Sequence, residues 1–344
     1  MALKRASLHP FYTIIRLYLG MEDTPAVRLY LDRVPVFKSA KQLQSFVAPV
    51  IMRQRGEIFF YMANFQQALG EFEEAHGIAK EARDRKAEAD TLLGLSAIYE
   101  TLGRYDDAEN AAKKAMMIYK KLNDRNGIAK SLNNLGEAEF RRGNYSEALS
   151  DFEHSLEIQE RSGDTRGEAM SLSNMGVTQI FLENFQEALK NLQRSLVMRK
   201  KIGDRMGEAS SLHNVGYVHH QLGNYRDAVQ CFERALKIRD RVGDKMGKAS
   251  SLNKLGHTRR KLGDTQGAMD CFKKALSIWQ EIMDRNGEAK TSIDIGNLYD
   301  SICEYEKAIT FYKRALKLYR EIGNRHAETQ LLKSIDKVYD RLSG

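Results

Sequence analysis

Residues 203–222 read GDRMGEASSLHNVGYVHHQL (Gly203–Leu222): a helix-termination signal, then the start of a new helix. Forty residues earlier stands GDTRGEAMSLSNMGVTQIFL, and forty later GDKMGKASSLNKLGHTRRKL. One glycine recurs at Gly127, Gly167, Gly207, Gly247 and Gly287, and a second inside the helix at Gly136, Gly176, Gly216, Gly256 and Gly296. Self-similarity at a fixed period of this size indicates a stack of supersecondary units. The expected fold is an all-α solenoid of helix hairpins.

Each unit begins with a helix A, such as Thr165–Leu182. Asp164 supplies an N-cap oxygen, and Gly163 permits the left-handed residue that ends the preceding helix. Leu172, Met175 and Leu182 mark a helical stripe rather than a strand. Helix B follows Asn144 or Asn184, with Glu147 or Glu187 three residues on, a pattern that resembles a capping box. Its stripe comprises Tyr145, Ala148, Phe152, Ser155 and Ile158, so A and B can pair as a hairpin. Alanines at 108, 148, 188, 228, 268 and 308 are expected opposite the helix-A glycines. Phe152, Phe232, Phe272 and Tyr312 are expected to fill the volume toward the next unit.

Working outward, the regular array runs over residues 47–327 in seven units. Residues 1–46 read as a degenerate repeat or N-terminal cap and 328–344 as a polar C-terminal capping helix, since terminal repeats are atypical. All four prolines fall within the first 49 residues, and residues 1–55 carry nine Lys/Arg against three Asp/Glu. The remainder holds 45 against 43, so the net charge of +8 is mainly N-terminal. That argues against a continuous basic face for nucleic acid. No apolar run is long enough to span a bilayer, and no signal peptide is recognisable. Cys231, Cys271 and Cys303 form no framework pattern, which implies reduced thiols in a cytoplasmic setting.

Leu102-Gly103-x-Tyr105, Leu135-Gly136, Ala148, Phe152 and the alanines at 235 and 275 resemble the tetratricopeptide repeat pattern across roughly residues 47–344. The 40-residue period and the missing proline after helix B look like the longer-helix variety of the Pins/LGN polarity adaptors. Similar arrays occur in kinesin light chains and bacterial regulatory proteins. The resemblance implies a right-handed superhelix whose concave groove, lined by A helices, binds extended peptides. The position where a chaperone-binding carboxylate clamp needs its first lysine holds Leu93, Asn133, Ser173, His213, Asn253 and Ile293, so that clamp is not expected.

The free face of helix A presents Lys130, Asn134, Glu137 and Arg141 in one unit, spaced by four, three and four. One position forms a ladder of Asn134, Asn174 and Asn214, followed by Lys254 and Asp294. An amide donates and accepts, so such a row can pair with any extended backbone; the plainer alternative is a solvated helix face. Met170, Val177, Ile180 and Phe181 give an apolar set, and His220, Lys254, His257, Arg260 and Lys261 a basic one, with Tyr217 also assigned to the binding face. Apolar anchors beside cations suit a peptide with apolar and acidic residues, although Ile180 and Phe181 could instead pack under the next hairpin.

No nucleophile–base motif rises above the periodic background. Gly243–Lys248 is one residue short of a phosphate loop, and His213, His220 and His257 lack supporting ligands for a metal. The expectation is a protein-interaction scaffold, without enzymatic activity or cofactor. The alternatives are a sensory or autoinhibitory module of a larger signalling system, and a nucleic-acid-binding repeat protein.

Overall fold

The computed structural model describes residues 40–61 and 64–343. Cα packing divides the chain into two units, Met1–Ser171 and Leu172–Gly344. Unit 1 contains α1 (Ala40–Tyr61), α2 (Phe65–Glu81), α3 (Arg85–Thr101), α4 (Tyr105–Lys121), α5 (Arg125–Arg142) and α6 (Tyr145–Ser162). The boundary falls inside α7 (Thr165–Phe181). Unit 2 continues with α8 (Phe185–Lys201), α9 (Arg205–Gln221), α10 (Tyr225–Val242), α11 (Lys245–Lys261) and α12 (Thr265–Glu281). It ends with α13 (Arg285–Ser301), α14 (Tyr305–Glu321) and α15 (Arg325–Ser343). The described residues thus form the expected all-α hairpin repeat, with helix A odd-numbered and helix B even-numbered. The expected 1–46 segment lies for the most part outside the described residues.

Helix A starts as its sequence requires. Asp124, Asp204 and Asp244 each accept a hydrogen bond from the backbone N–H of Gly127, Gly207 and Gly247, at 2.9, 2.9 and 2.8 Å. This satisfies one of the donors left orphaned at a helix start. Helix B starts differently from expectation, because Asn144 and Asn184 make no side-chain cap bond. The Asn144 amide reaches back instead and donates to Glu139 Oε2 at 2.6 Å, which turns its carboxamide away from the first turn. Gly163 does adopt the left-handed conformation, at φ +70°.

The hairpins close by a ring-on-glycine contact. A Cβ on Gly136 would lie 2.6 Å from Cε1 of Phe152, and one on Gly256 2.6 Å from Cε1 of Phe272. The phenyl ring therefore occupies the space over the glycine of its own hairpin, where the alanines had been expected. Alanine contributes at Gly176, whose Cβ would meet Leu192 and also the Ala188 carbonyl at 3.2 Å. The first-turn glycines have an equivalent role that the sequence did not announce. The Tyr119 ring lies over Gly127 in unit 1, and the Trp279 indole lies over Gly287 in unit 2. Each of these residues sits near the end of a helix B and stacks on the start of the following helix A.

Polar groups are threaded through both cores. In unit 1, Asn133 donates to Ser155 Oγ at 3.0 Å, and Ser171 Oγ lies 2.7 Å from Gln159 Oε1 and 3.0 Å from Asn133 Oδ1. In unit 2, Arg239 Nη1 donates to Ser251 Oγ at 2.9 Å, and His213 Nδ1 lies 2.9 Å from the same hydroxyl. Buried polar atoms that find partners across helices fix register as well as avoiding a desolvation cost. Asn133, His213 and Asn253, the last bonded to Thr291 at 2.9 Å, are thus committed to packing.

Candidate functional site

Helix A turns its recurring small residues toward helix B, so its other face is free to differ from unit to unit, and each part of the chain presents its own version.

In unit 1 the face centres on α5. Lys130 is exposed and makes no ion pair among the described residues. Asn134 is half-buried, and its Nδ2 donates to the Leu93 carbonyl of α3 at 3.0 Å. Asn134 therefore clamps two successive A helices rather than only solvating its helix face. Arg141 is likewise engaged, its Nε donating to Glu100 at 2.9 Å. Glu137, three residues from Asn134, is pushed up to about 7 by burial and then by the Glu100 carboxylate, with Arg141 opposing. A carboxyl so placed changes charge near neutral pH.

Met170, 42% exposed, joins Lys130 and Asn134 around a cleft of about 370 Å³. Its floor is apolar, with Phe60, Phe72, Leu93, Gly94, Ala97 and Ile98, and Arg53, Glu57 and Asp90 stand at the wall. Sequence reasoning did not identify this floor. The signal was in plain view: Gly94 occupies the ladder position, and Ala97 the position of Glu137, Val177, Tyr217 and His257.

In unit 2 the face begins with the later part of α7. Asn174 and Val177 are half-buried, and Phe181 is 55% exposed. Ile180 instead packs against the cluster of Ala188, Leu192, Val215 and Val218, as the plainer alternative had it. Asn214 is half-buried on α9. Beyond it the Lys254 ammonium lies 4.7 Å from the centroid of the Tyr217 ring, a cation–π contact. Burial draws the Lys254 pKa down, while Asp294 opposes. His257 Nε2 lies 3.2 Å from Asp294 Oδ2, and the same oxygen accepts from Asn253 at 3.1 Å. His220 Nδ1 lies 2.9 Å from Thr258 Oγ1, and burial followed by the neighbouring His257 and Lys254 lowers its pKa. Arg260 and Lys261 are exposed at the end of α11 and form no ion pair among the described residues. Lys254, His257, His220 and Tyr217 thus come together as one shelf, with Asp294 as its carboxylate.

Among the described residues, no group of three or more His, Cys, Asp or Glu side chains is placed to hold a metal ion. No described helix is long and apolar enough to cross a membrane.

The hairpin geometry, the ring-on-glycine closure and the variable A-helix face define a helical repeat of the tetratricopeptide class. The chain belongs to the tetratricopeptide repeat family, whose profile matches residues 48–121, 127–201, 180–241, 207–281 and 247–321. The fold is also that of several solved structures. The apo form of RapI is 19% identical, covering 80% of this chain and 99% of that one with a TM-score of 0.62. A Rap protein complexed with competence and sporulation factor is 16% identical over 93% of this chain and 98% of that one, with a TM-score of 0.64. A signal transduction ATPase with numerous domains and a tetratricopeptide repeat sensor, from Pyrococcus horikoshii, is 19% identical. There 98% of this chain aligns with half of that one, at a TM-score of 0.66. No curated protein sequence matches the chain significantly. The family is one of protein-interaction modules.

Proposed function

We propose that this protein is a non-catalytic interaction scaffold, acting in the cytoplasm, that binds an extended peptide segment of a partner along its A-helix faces. In this reading residues 47–327 form the binding array, and the flanking 1–46 and 328–344 segments cap it. The observation that carries the reading is the composition of the unit 2 face. Half-buried Asn174 and Asn214 lead to a shelf where Lys254 is held on Tyr217 and exposed Arg260 and Lys261 stand beyond it. Amides suit a peptide backbone and the cations suit acidic side chains, with Phe181 as an apolar contact. Closely packed helix hairpins lose little entropy on binding, so the ordering cost falls on the peptide. The Rap protein complexed with competence and sporulation factor is a ligand-bound precedent for the fold, and the sensor of the ATPase illustrates a regulatory use of it.

The test is a heptapeptide array probed with the full chain, followed by fluorescence polarisation on its best binders. Lys254→Glu, Arg260→Glu and Lys261→Glu together should slow association and weaken binding, with a smaller defect at high salt. Phe181→Ser should raise the dissociation rate and change little with salt. A nucleic-acid ligand would respond to the charge reversals, tolerate Phe181→Ser, and lose affinity steeply with added salt. Binding that is indifferent to all four substitutions, with folding intact, would remove the unit 2 face from the mechanism.

A further inference from the structure

The cleft of unit 1 exists because two positions that are filled in later repeats are nearly empty in α3. At the ladder position Gly94 stands where α5 has Asn134 and unit 2 has Asn174, Asn214 and Lys254. At the position of Tyr217 and His257, α3 has Ala97. Beneath Gly94 lies the Phe72 ring, which a Cβ at position 94 would strike. The outcome is an apolar floor at the bottom of an otherwise polar helix face.

The wall above that floor is paired in part within itself. Arg53 Nη1 pairs with Asp90 Oδ2 at 2.9 Å, and Asp90 Oδ1 also accepts the Tyr119 hydroxyl at 2.5 Å. Glu57 lies 3.7 Å from Arg53 Nε. Besides the buried Arg53 Nε, which makes no hydrogen bond, two polar groups at the mouth are open to a ligand among the described residues. One is the Lys130 ammonium, and the other is the Asn134 Oδ1 acceptor, whose amide donor is already spent on the Leu93 carbonyl. An apolar floor, one acceptor and one cation are complementary to an apolar side chain, a backbone N–H and a carboxylate. A volume of about 370 Å³ lies at the small end of ligand clefts, enough for one bulky side chain and its flanking backbone. Met170, exposed and flexible at the rim, can repack around side chains of different shape.

We infer that this cleft is an anchor site for a bulky apolar side chain of an extended peptide, with an adjacent carboxylate of the peptide pairing with Lys130. The inference rests on the peptide-scaffold reading and adds to it a second, sequence-selective contact located in unit 1. It also names the selectivity: an aliphatic or aromatic residue beside Asp or Glu.

The experiment uses the full chain and acetylated, amidated heptapeptides in an alanine–glycine background. The central residue is Leu, Phe, Ala, Ser or Lys, and the next is Asp, Asn or Lys. Peptides pairing Leu or Phe with Asp should bind most tightly. Ala97→Tyr, which installs the side chain found at position 217, should weaken them about tenfold or more, with the circular dichroism melt unchanged. Lys130→Gln should abolish the preference for Asp over Asn while keeping that for Leu over Ala. If Ala97→Tyr fails to fold, Ala97→Val, copying position 177, replaces it, with a smaller loss expected. Undiminished binding of the Leu and Phe peptides by a folded Ala97 variant, or an unchanged Asp preference in Lys130→Gln, overturns the anchor site. If the unit 2 charge reversals weaken those same peptides while the Ala97 variant does not, the scaffold reading stands and only the cleft assignment falls. If no peptide in the array binds, both fall.

Discussion

Helices α3 and α9 occupy equivalent places in their hairpins, yet the first offers Gly94 and Ala97 to the free face and the second Asn214 and Tyr217. In unit 1 the small pair leaves an apolar cleft, and on α5 the Glu137 carboxyl is poised near neutrality. In unit 2 the larger pair builds a filled shelf, with Lys254 seated on Tyr217 and His257 beside Asp294. The packing side of the two helices barely differs, with Ala89 and Ala209, Leu92 and Leu212, and Ile98 and Val218 all buried at matching positions. A repeat array thus separates the residues that hold the fold from those that face a ligand, so one scaffold can carry unlike faces.

If the scaffold is common to both units, large truncations should cost the same in each. Phe152→Ala in unit 1 and Phe232→Ala in unit 2 should each destabilise by about 3–5 kcal/mol, since both rings are almost fully buried over a glycine. Urea unfolding monitored by segment-resolved hydrogen exchange measures each, and a near-neutral result in one unit would break the equivalence.

Acid should divide the units. His213 in unit 2 is drawn down to about 3 from 6.5 by burial and then by Arg239 and Lys254. It stays neutral when folded while the unfolded form takes up a proton, so its contribution is full above pH 6.5 and is lost as pH falls toward 3. Glu137 in unit 1 is raised to about 7 from 4.5, the opposite case: its burial penalises the fold above pH 7 and is relieved as pH falls to 4.5. Between pH 7 and 4.5, hydrogen-exchange protection should fall around α9 and rise around α5, each by an amount on the order of a few kcal/mol at most. His213→Asn and Glu137→Gln should flatten the respective trends. Trends of the same sign in the two variants' segments would show that other groups dominate.

Glycine substitutions sharpen the comparison at smaller scale. A Cβ at Gly136 would sit 2.6 Å from the Phe152 ring, whereas at Gly216 it would sit 3.0 Å from the Phe232 ring. Gly136→Ala should therefore destabilise by about 1–3 kcal/mol through overpacking. Gly216→Ala should come near zero, because the gain of about 1 kcal/mol in helix propensity offsets a milder squeeze. Thermal melts of the two variants decide it, and equal shifts would mean that the two hairpins pack alike.

The smallest effect belongs to the asparagines. Asn134→Ala removes the bond to the Leu93 carbonyl and should cost up to about 1 kcal/mol. Asn214→Ala loses no comparable bond among the described residues and should be neutral or slightly stabilising. Differential scanning calorimetry resolves the two, and a stabilised Asn134→Ala would return the ladder to a solvated helix face.

Much of the fold could be read from the residues, and the site only in part. The Asp-x-x-Gly starts of helix A were legible because the bond from Asp124 to Gly127 spans three residues. The supposed capping box at Asn144 misled, since its amide found a competing acceptor in Glu139 of the preceding helix. Helical spacing puts Lys254 and His257 on one face, but that they pair with Tyr217 and Asp294, each 37 residues away, is decided by contacts between A helices. Gly94 and Ala97 were passed over because an absent side chain leaves no motif.

By itself the sequence determined that this protein is an all-α stack of hairpins with a 40-residue period. Each cap, turn and stripe is a local interaction written within a few residues and repeated often enough to exclude coincidence. Only the tertiary structure decided what the free faces hold. Whether Asn134 greets a ligand or clamps Leu93, and whether Gly94 is a flaw or the floor of a cleft, depends on the register between helices about 40 residues apart. That register is reached only when ring-on-glycine contacts within a hairpin, such as Phe152 on Gly136, combine with those to the next hairpin, such as Tyr119 on Gly127, and close packing joins the helices in three dimensions.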